Sequence, residues 1–121
     1  MKVVINRCFG GFGISNEAFE KLLIRKGIEF DKIDAKFKLR TDLYDYYHAG
    51  HAGSDDHYLS EYIFYEDRSD PDLIAVIEEL GKDSWGLAAE LAIVDIPDDI
   101  EWHIDEYDGI EHVAENHRTW S

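Results

Sequence analysis

The stretch RCFGGFGIS at residues 7–15 combines residue types that bind anions with a cysteine that could react. It follows a short apolar run at residues 3–5, which predicts a buried strand, and it precedes apolar residues at helical spacing in 18–23. Gly10, Gly11 and Gly13 leave backbone amides uncovered, and Ser15 is a good N-cap for the helix. The stretch is therefore either an anion-binding loop or a structural turn between a strand and a helix.

The ligand hypothesis assigns a phosphorylated compound, most simply a nucleotide, to this loop. Free amides and the helix dipole point at one place at a helix N-terminus and favour an anion there. Arginine can pair with phosphate and aromatic rings can stack on a base. The spacing matches neither the Walker loop, which ends in Lys-Ser or Lys-Thr, nor G-x-G-x-x-G. We therefore expect a non-enzymatic binder whose ligand-binding residues are Arg7, Gly10, Gly11, Phe12, Gly13, Ser15, Arg68, His117, Arg118 and Trp120.

Two enzymatic alternatives use other residues of the chain. Cys8 lies between a strand and a helix N-terminus, where a thiol pKa can be lowered, but it needs a base such as His103, His112 or His117. The segment HAGHAGSDDH at 48–57 offers nitrogen and oxygen ligands for a divalent metal, but at no established zinc spacing. We expect no catalytic residue, no metal and no cofactor, and we keep a small enzyme using Cys8 or a histidine-bound metal as the alternative.

The charge balance limits the partners of this 121-residue chain. It carries 27 acidic and 12 basic residues, a net charge of −15, so direct nucleic-acid binding is not expected. The acidity could serve solubility, or it could let residues 95–108 meet a basic host protein by imitating nucleic acid. One cysteine, with no leader or long apolar run, predicts a cytoplasmic protein that does not contact a membrane. A homo-oligomer is permitted by the 13% aromatic content but is not indicated by it.

Local signals predict the main elements of one domain over residues 1–121. Asp70 as cap, Pro71 at the first position and Gly81 at the end define a helix at 70–81, and LAIVD at 91–95 predicts a strand. A short strand is expected near 28–33, a loop at 48–57, and a strand over the alternating residues 58–65. The resulting fold class is α+β, with a single mixed sheet, two main helices and a C-terminal hairpin.

The hairpin prediction rests on the dipeptide Asp108-Gly109, a strong signal for a two-residue turn. In that register Trp102 faces Glu115, Ile104 faces Val113, Asp105 faces His112 and Tyr107 faces Ile110, so one face carries Trp102, Ile104 and Val113 and should pack on the helices. Glu106 then lies opposite Glu111, a like-charge pair that is unfavourable unless it is solvated or bound to a cation. The competing interpretation makes residues 110–117 a helix.

Three stretches together resemble a family of small, mostly uncharacterised bacteriophage and prophage proteins. They are VVINRCFGGFGIS, DRSDPDLIAVIEELG and IPDDIEWHIDEYDGIEHVAENHRTW, which cover both ends of the chain and most of its second half. The resemblance implies a compact intracellular α+β protein of viral or prophage origin in a bacterial host cell. It supplies no activity or site. By analogy with small acidic phage proteins, the nucleotide hypothesis could extend to sequestering a bacterial defence signal.

Overall fold

The computed structural model describes residues 1–34 and 44–115 of the chain. Two ten-residue helices, three short 3₁₀ turns and seven strands make up these parts, which is the α+β class predicted from the sequence. The main elements are β1 (Lys2–Asn6), α1 (Asn16–Arg25), β2 (Phe30–Asp34), β3 (Tyr44–His48), β4 (Tyr58–Leu59), α2 (Pro71–Leu80), β5 (Leu91–Asp95), β6 (Trp102–Tyr107) and β7 (Ile110–Glu115).

The antiparallel pair β1–β5 is the middle layer, with helices on one face and the hairpin β6–β7 on the other. Side chains alternate across a strand, so Val4 joins the helical core, whereas Val3 and Ile5 pack towards the hairpin. Both faces of β1 are therefore covered, which explains why residues 3–5 form a continuous apolar run.

The expectation of a single mixed sheet is wrong, because the described strands form three separate antiparallel sheets, β1–β5, β2–β3–β4 and β6–β7. The edge of β1 that does not pair with β5 shows in part why no larger sheet forms. The amide of Val4 donates to the carbonyl of Arg68 at 2.9 Å, and the amide of Asn6 donates to the Glu111 carboxylate at 2.9 Å. A loop carbonyl and a side chain thus satisfy the amides that a third strand would have used.

Both helices begin where their local signals predict, and α2 also ends at its predicted position. The Ser15 hydroxyl accepts a hydrogen bond from the amide of Ala18, and α1 ends at Arg25 with Lys26 as its C-cap. The Asp70 carboxylate accepts from the amide of Asp72, Pro71 is the first residue of α2, and Gly81 follows its last residue. The apolar stripes of both helices pack together over β1, which fixes the glycine-rich loop between β1 and α1.

The hairpin has the predicted register: Asp105 pairs with His112, Ile104 with Val113 and Trp102 with Glu115. The competing helix is excluded for residues 110–115, which are strand, and residues 116–117 lie outside the described parts. One prediction is wrong: the face carrying Trp102 packs against Val3, Ile5 and Ile96, and not against the helices. The β1–β5 pair separates the hairpin from the helices.

The middle of the chain agrees only in part with the sequence. Residues 30–34 form the expected short strand, and the loop at 48–57 is present after the final strand residue, His48. The alternating run at 58–65 is a strand only at Tyr58–Leu59. Ser60 ends it, because its hydroxyl accepts a hydrogen bond from the amide of Tyr62 and starts a 3₁₀ turn over Glu61–Phe64.

Candidate functional site

The glycines of the opening stretch let three loops pack closely against one another. The amide of Gly10 donates to the carbonyl of Asp108 in the hairpin turn at 3.3 Å. A Cβ on Gly109 would lie 2.7 Å from the Gly10 nitrogen, and a Cβ on Gly86 would lie 2.7 Å from the Gly13 carbonyl carbon. Such approaches leave no room for any side chain. The loop is therefore a packed corner between β1, the hairpin turn and residues 86–88.

Asn6, which is fully buried, ties this corner together. Its amide nitrogen donates to the carbonyls of Cys8 and Gly109, both at 2.7 Å, and its oxygen accepts from the amide of Glu90 at 2.8 Å. All of its hydrogen-bonding capacity is used inside the protein. Asn6 was not among the residues predicted from the sequence, although a polar residue directly after the apolar run VVI is a signal that could have identified it.

Arg68, which the sequence analysis assigned to the ligand, is held inside the protein. It donates two hydrogen bonds to the carboxylate of Glu111, at 2.6 and 3.0 Å, and a third to the carbonyl of Tyr65 at 2.8 Å. Its guanidinium carbon lies 3.6 Å from the ring centroid of Phe12. The side chains of Arg68 and Glu111 are 12% and 8% exposed. Arg68 and Phe12 thus form a buried structural junction, which resolves the predicted Glu106–Glu111 conflict by giving Glu111 a cation.

The remaining predicted ligand residues are not brought together by the described parts. Arg7 is exposed at the end of β1, and Ser15 serves as the cap of α1 while donating to the Asp83 carbonyl at 2.5 Å. His117, Arg118 and Trp120 lie outside the described residues, so their part of the prediction has no structural account.

Among the described residues, those of the two enzymatic alternatives form no reactive constellation, and His117 lies outside the described parts. The Cys8 sulfur lies 3.4 Å from the carbonyl of Phe9, and its proposed partners His103 and His112 both contact Asp105 on the hairpin. The rings of His51 and His57 stack with centroids 3.8 Å apart. Even so, no group of three His, Cys, Asp or Glu side chains in residues 1–34 and 44–115 is arranged to hold a metal ion.

A cavity of about 510 Å³ opens beside the N-terminus of α1, and the sequence analysis did not anticipate it. Its volume lies in the range of about 300–1,000 Å³ typical of small-ligand sites. Aromatic rings and a few polar groups converge there from four separate parts of the chain. Its lining consists of Ile14, Ser15, Asn16, Phe19, Tyr44, Tyr46, Tyr58, Leu59, Ser60, Glu61, Tyr62, Trp85, Gly86 and Leu87, which we call the tyrosine cavity.

Glu61 is the charged residue in the lining of the tyrosine cavity. Burial raises the pKa of its carboxyl, and a hydrogen bond with the Tyr65 hydroxyl offsets part of that rise in pKa. Burial also raises the pKa of Tyr58 and of Tyr46, whose hydroxyl donates to Glu20 at 2.9 Å. These tyrosines are therefore neutral at pH 7, and the cavity presents neutral rings around one partly desolvated carboxyl group.

No protein-family model, curated protein or solved structure matches this chain. The resemblance to phage proteins consequently stays a prediction. Within the described ranges, no helix has both the length and the apolar character needed to cross a membrane.

Proposed function

We propose that this protein is a non-enzymatic binding protein that recognises a basic protein partner. The observation that carries the proposal is how the chain uses its cations. Eight of its 12 basic residues lie in the described parts, and six of these eight are held in ion pairs with the chain's own carboxylates. These six are Lys2, Lys21, Arg25, Lys26, Lys32 and Arg68.

Several acidic residues at 95–108 are exposed and are not paired with a lysine or arginine of the described parts. Asp98 is 86% exposed and Asp95 is 79% exposed, with the N-terminal amino group as their cation. Asp99 and Glu101 are also exposed, and no described cation pairs with them. Like charges held together on a surface raise the local potential, which favours a basic partner and speeds its association.

A phosphorylated ligand has less support from the geometry. The amide of Gly10 is already hydrogen-bonded, and both Arg68 and Phe12 are used inside the protein. The tyrosine cavity, whose lining includes Ile14 and Ser15 at the end of the loop, carries the carboxyl group of Glu61, which repels phosphate when it is ionised. Nucleotide binding and the sequestration of a defence signal therefore remain the second hypothesis.

The experiment measures the affinity of the full chain for a fluorescent hexa-arginine peptide as sodium chloride rises from 50 to 300 mM. We expect the affinity to fall steeply with salt, because surface charge interactions are screened within about 10 Å at 0.1 M salt. The double variant Asp99→Asn/Glu101→Gln should weaken binding several-fold. The matched variant Asp55→Asn/Asp56→Asn removes two exposed charges from another loop and should change binding less.

Two results would contradict the proposal. One is an affinity that does not change with salt, and the other is equal weakening by both double variants, which would indicate only general attraction to net charge. A nucleotide panel in a thermal-shift assay serves as the competing arm, since a ligand that binds the native state raises the melting temperature. A shift with nucleotides and none with hexa-arginine would favour the second hypothesis.

A further inference from the structure

We propose that the tyrosine cavity binds one arginine side chain of the basic partner, with Glu61 as the counter-ion and Tyr58 and Tyr62 as stacking walls. This inference rests on the proposed function for the nature of the partner. The site itself is a chemical property of the cavity and can be tested with a small molecule.

The position of Glu61 is the first argument. A carboxylate removed from water is costly unless it is paired, and no cation in the described parts of the chain pairs with Glu61. The nearby Tyr65 hydroxyl lowers the pKa of Glu61 only in part, and that hydroxyl also accepts a hydrogen bond from the amide of Ile14 at 3.4 Å. A guanidinium entering the cavity would supply the missing positive charge and further donors to the same carboxylate.

The rings around Glu61 are the second argument. Cations bind over aromatic faces within about 6 Å of the ring centroid. Tyr44 already holds the Lys32 ammonium 4.1 Å from its centroid. Tyr58 and Tyr62 line the cavity and are 49% and 69% exposed, so part of each ring is accessible to a ligand.

The third argument is that the chain contains a filled site of the same composition. Arg68 stacks on Phe12 and donates two hydrogen bonds to Glu111. Tyr65 links the two places, because its ring meets Phe12 edge-on at 4.8 Å and meets Tyr62 of the cavity lining edge-on at 5.2 Å. The tyrosine cavity has a carboxylate and rings like those of the Arg68 junction, but within residues 1–34 and 44–115 no cation pairs with that carboxylate. Arginine is the side chain that can both pair with a carboxylate and stack on a ring.

The test uses the full chain and the neutral-ended model compound N-acetyl-arginine methylamide, with the citrulline analogue as an uncharged control of the same shape. Binding is followed by isothermal calorimetry and by NMR signals of the tyrosine rings at pH 7.5. We expect the arginine compound to bind at least ~10-fold more tightly than the citrulline compound, because the uncharged citrulline cannot form the charged pair with Glu61 in this partly desolvated site. Binding should weaken as the pH falls through the raised pKa of Glu61, because protonation removes the counter-ion.

Variants locate the site. Glu61→Gln should reduce the affinity for the arginine compound by at least ~10-fold, while Glu66→Gln, an exposed carboxylate outside the lining, should leave it unchanged. Tyr62→Ala removes a ring that is largely exposed and should weaken binding about 2–5-fold with no loss of folding, as cation–π contacts at exposed sites are small. Circular dichroism of each variant confirms that it is folded.

Equal affinity for the arginine and citrulline compounds would overturn the inference, and so would equal loss in Glu61→Gln and Glu66→Gln. A tighter response to adenosine monophosphate than to the arginine compound would also overturn it. The two proposals fail separately. Salt-dependent binding of hexa-arginine without binding of the small compound leaves only the proposed function, whereas the reverse result leaves only the arginine site.

Discussion

Replacing Glu111 with glutamine should lower the free energy of unfolding by about 3–5 kcal/mol, the cost of breaking a buried ion pair by removing one partner. The carboxylate accepts bonds of 2.6 and 3.0 Å from Arg68 and of 2.9 Å from the amide of Asn6. Bonds to charged groups contribute about 1.5–3 kcal/mol each. Glutamine keeps the shape but turns one acceptor into a donor that faces the guanidinium, so Arg68 is left with an uncompensated charge.

Urea denaturation followed by circular dichroism measures this change. The matched control is Glu79→Gln, because the Lys21–Glu79 pair has a similar distance, 3.1 Å, but lies at the surface with side chains 36% and 57% exposed. Surface pairs contribute about 0–1 kcal/mol, so the control should change stability by no more than that. The double variant Glu111→Gln/Arg68→Met should lose less unfolding free energy than the sum of the losses in the two single variants, because the double variant leaves no buried charge unpaired.

A loss below ~1 kcal/mol in Glu111→Gln, equal to that of the control, would refute the reasoning. It would mean that Arg68 finds water or another acceptor when Glu111 is neutral, and Arg68 would again be available to a ligand. Additive single and double variants would lead to the same conclusion. The stability measurement therefore also tests why the phosphate-binding assignment of Arg68 was not supported.

Three further predictions concern local structure. Gly109→Ala should destabilise the protein by at least ~2 kcal/mol more than Gly50→Ala in thermal denaturation, because both positions have positive φ but only Gly109 has backbone atoms where the Cβ would lie; equal effects would contradict the close packing of the corner. Ser15→Ala should cost about 1 kcal/mol in urea denaturation through loss of the α1 cap, and no measurable loss would contradict that cap. Glu61→Gln should stabilise the free protein at pH 7.5. The pKa of the Glu61 carboxyl is raised in the folded state, so stability is lost as the pH rises from the unfolded pKa through the folded pKa, and a neutral glutamine avoids that loss. A pH titration of the melting temperature checks the last sign, and the gain in Glu61→Gln should disappear near pH 4.

The sequence predicted those features that are encoded locally. Asp108-Gly109 fixed the hairpin register residue by residue, because a two-residue turn leaves one way to pair the flanking strands. Ser15 and Asp70 marked both helix starts, because a cap acts within three residues of its own position.

What the sequence did not predict depends on contacts between distant residues. The tyrosine cavity joins side chains from residues 14–19, 44–46, 58–62 and 85–87, and no periodicity links those segments. The Arg68–Glu111 pair spans 43 residues, so neither residue signals the other. The number of sheets was missed for the same reason, since the carbonyl of Arg68 and the carboxylate of Glu111 occupy the β1 edge that a further strand would need.

The glycine spacing in RCFGGFGIS suggested an anion site because glycine lets a ligand approach the backbone, yet the same property lets another backbone approach it. At Gly10 and Gly109 it is the backbone of the hairpin turn that approaches the loop. The hairpin packed at this corner carries Glu111 on β7, and this places Glu111 where Arg68 pairs with it through two hydrogen bonds. When the hairpin packs at the corner, the amide of Gly10 is hydrogen-bonded to Asp108 and the guanidinium of Arg68 is paired with Glu111. Neither group is then available to bind an anion. The tyrosine cavity, which begins at Ile14 and Ser15, contains a carboxylate and exposed rings, and for this reason we propose a cation there and not the anion that the glycines alone suggested.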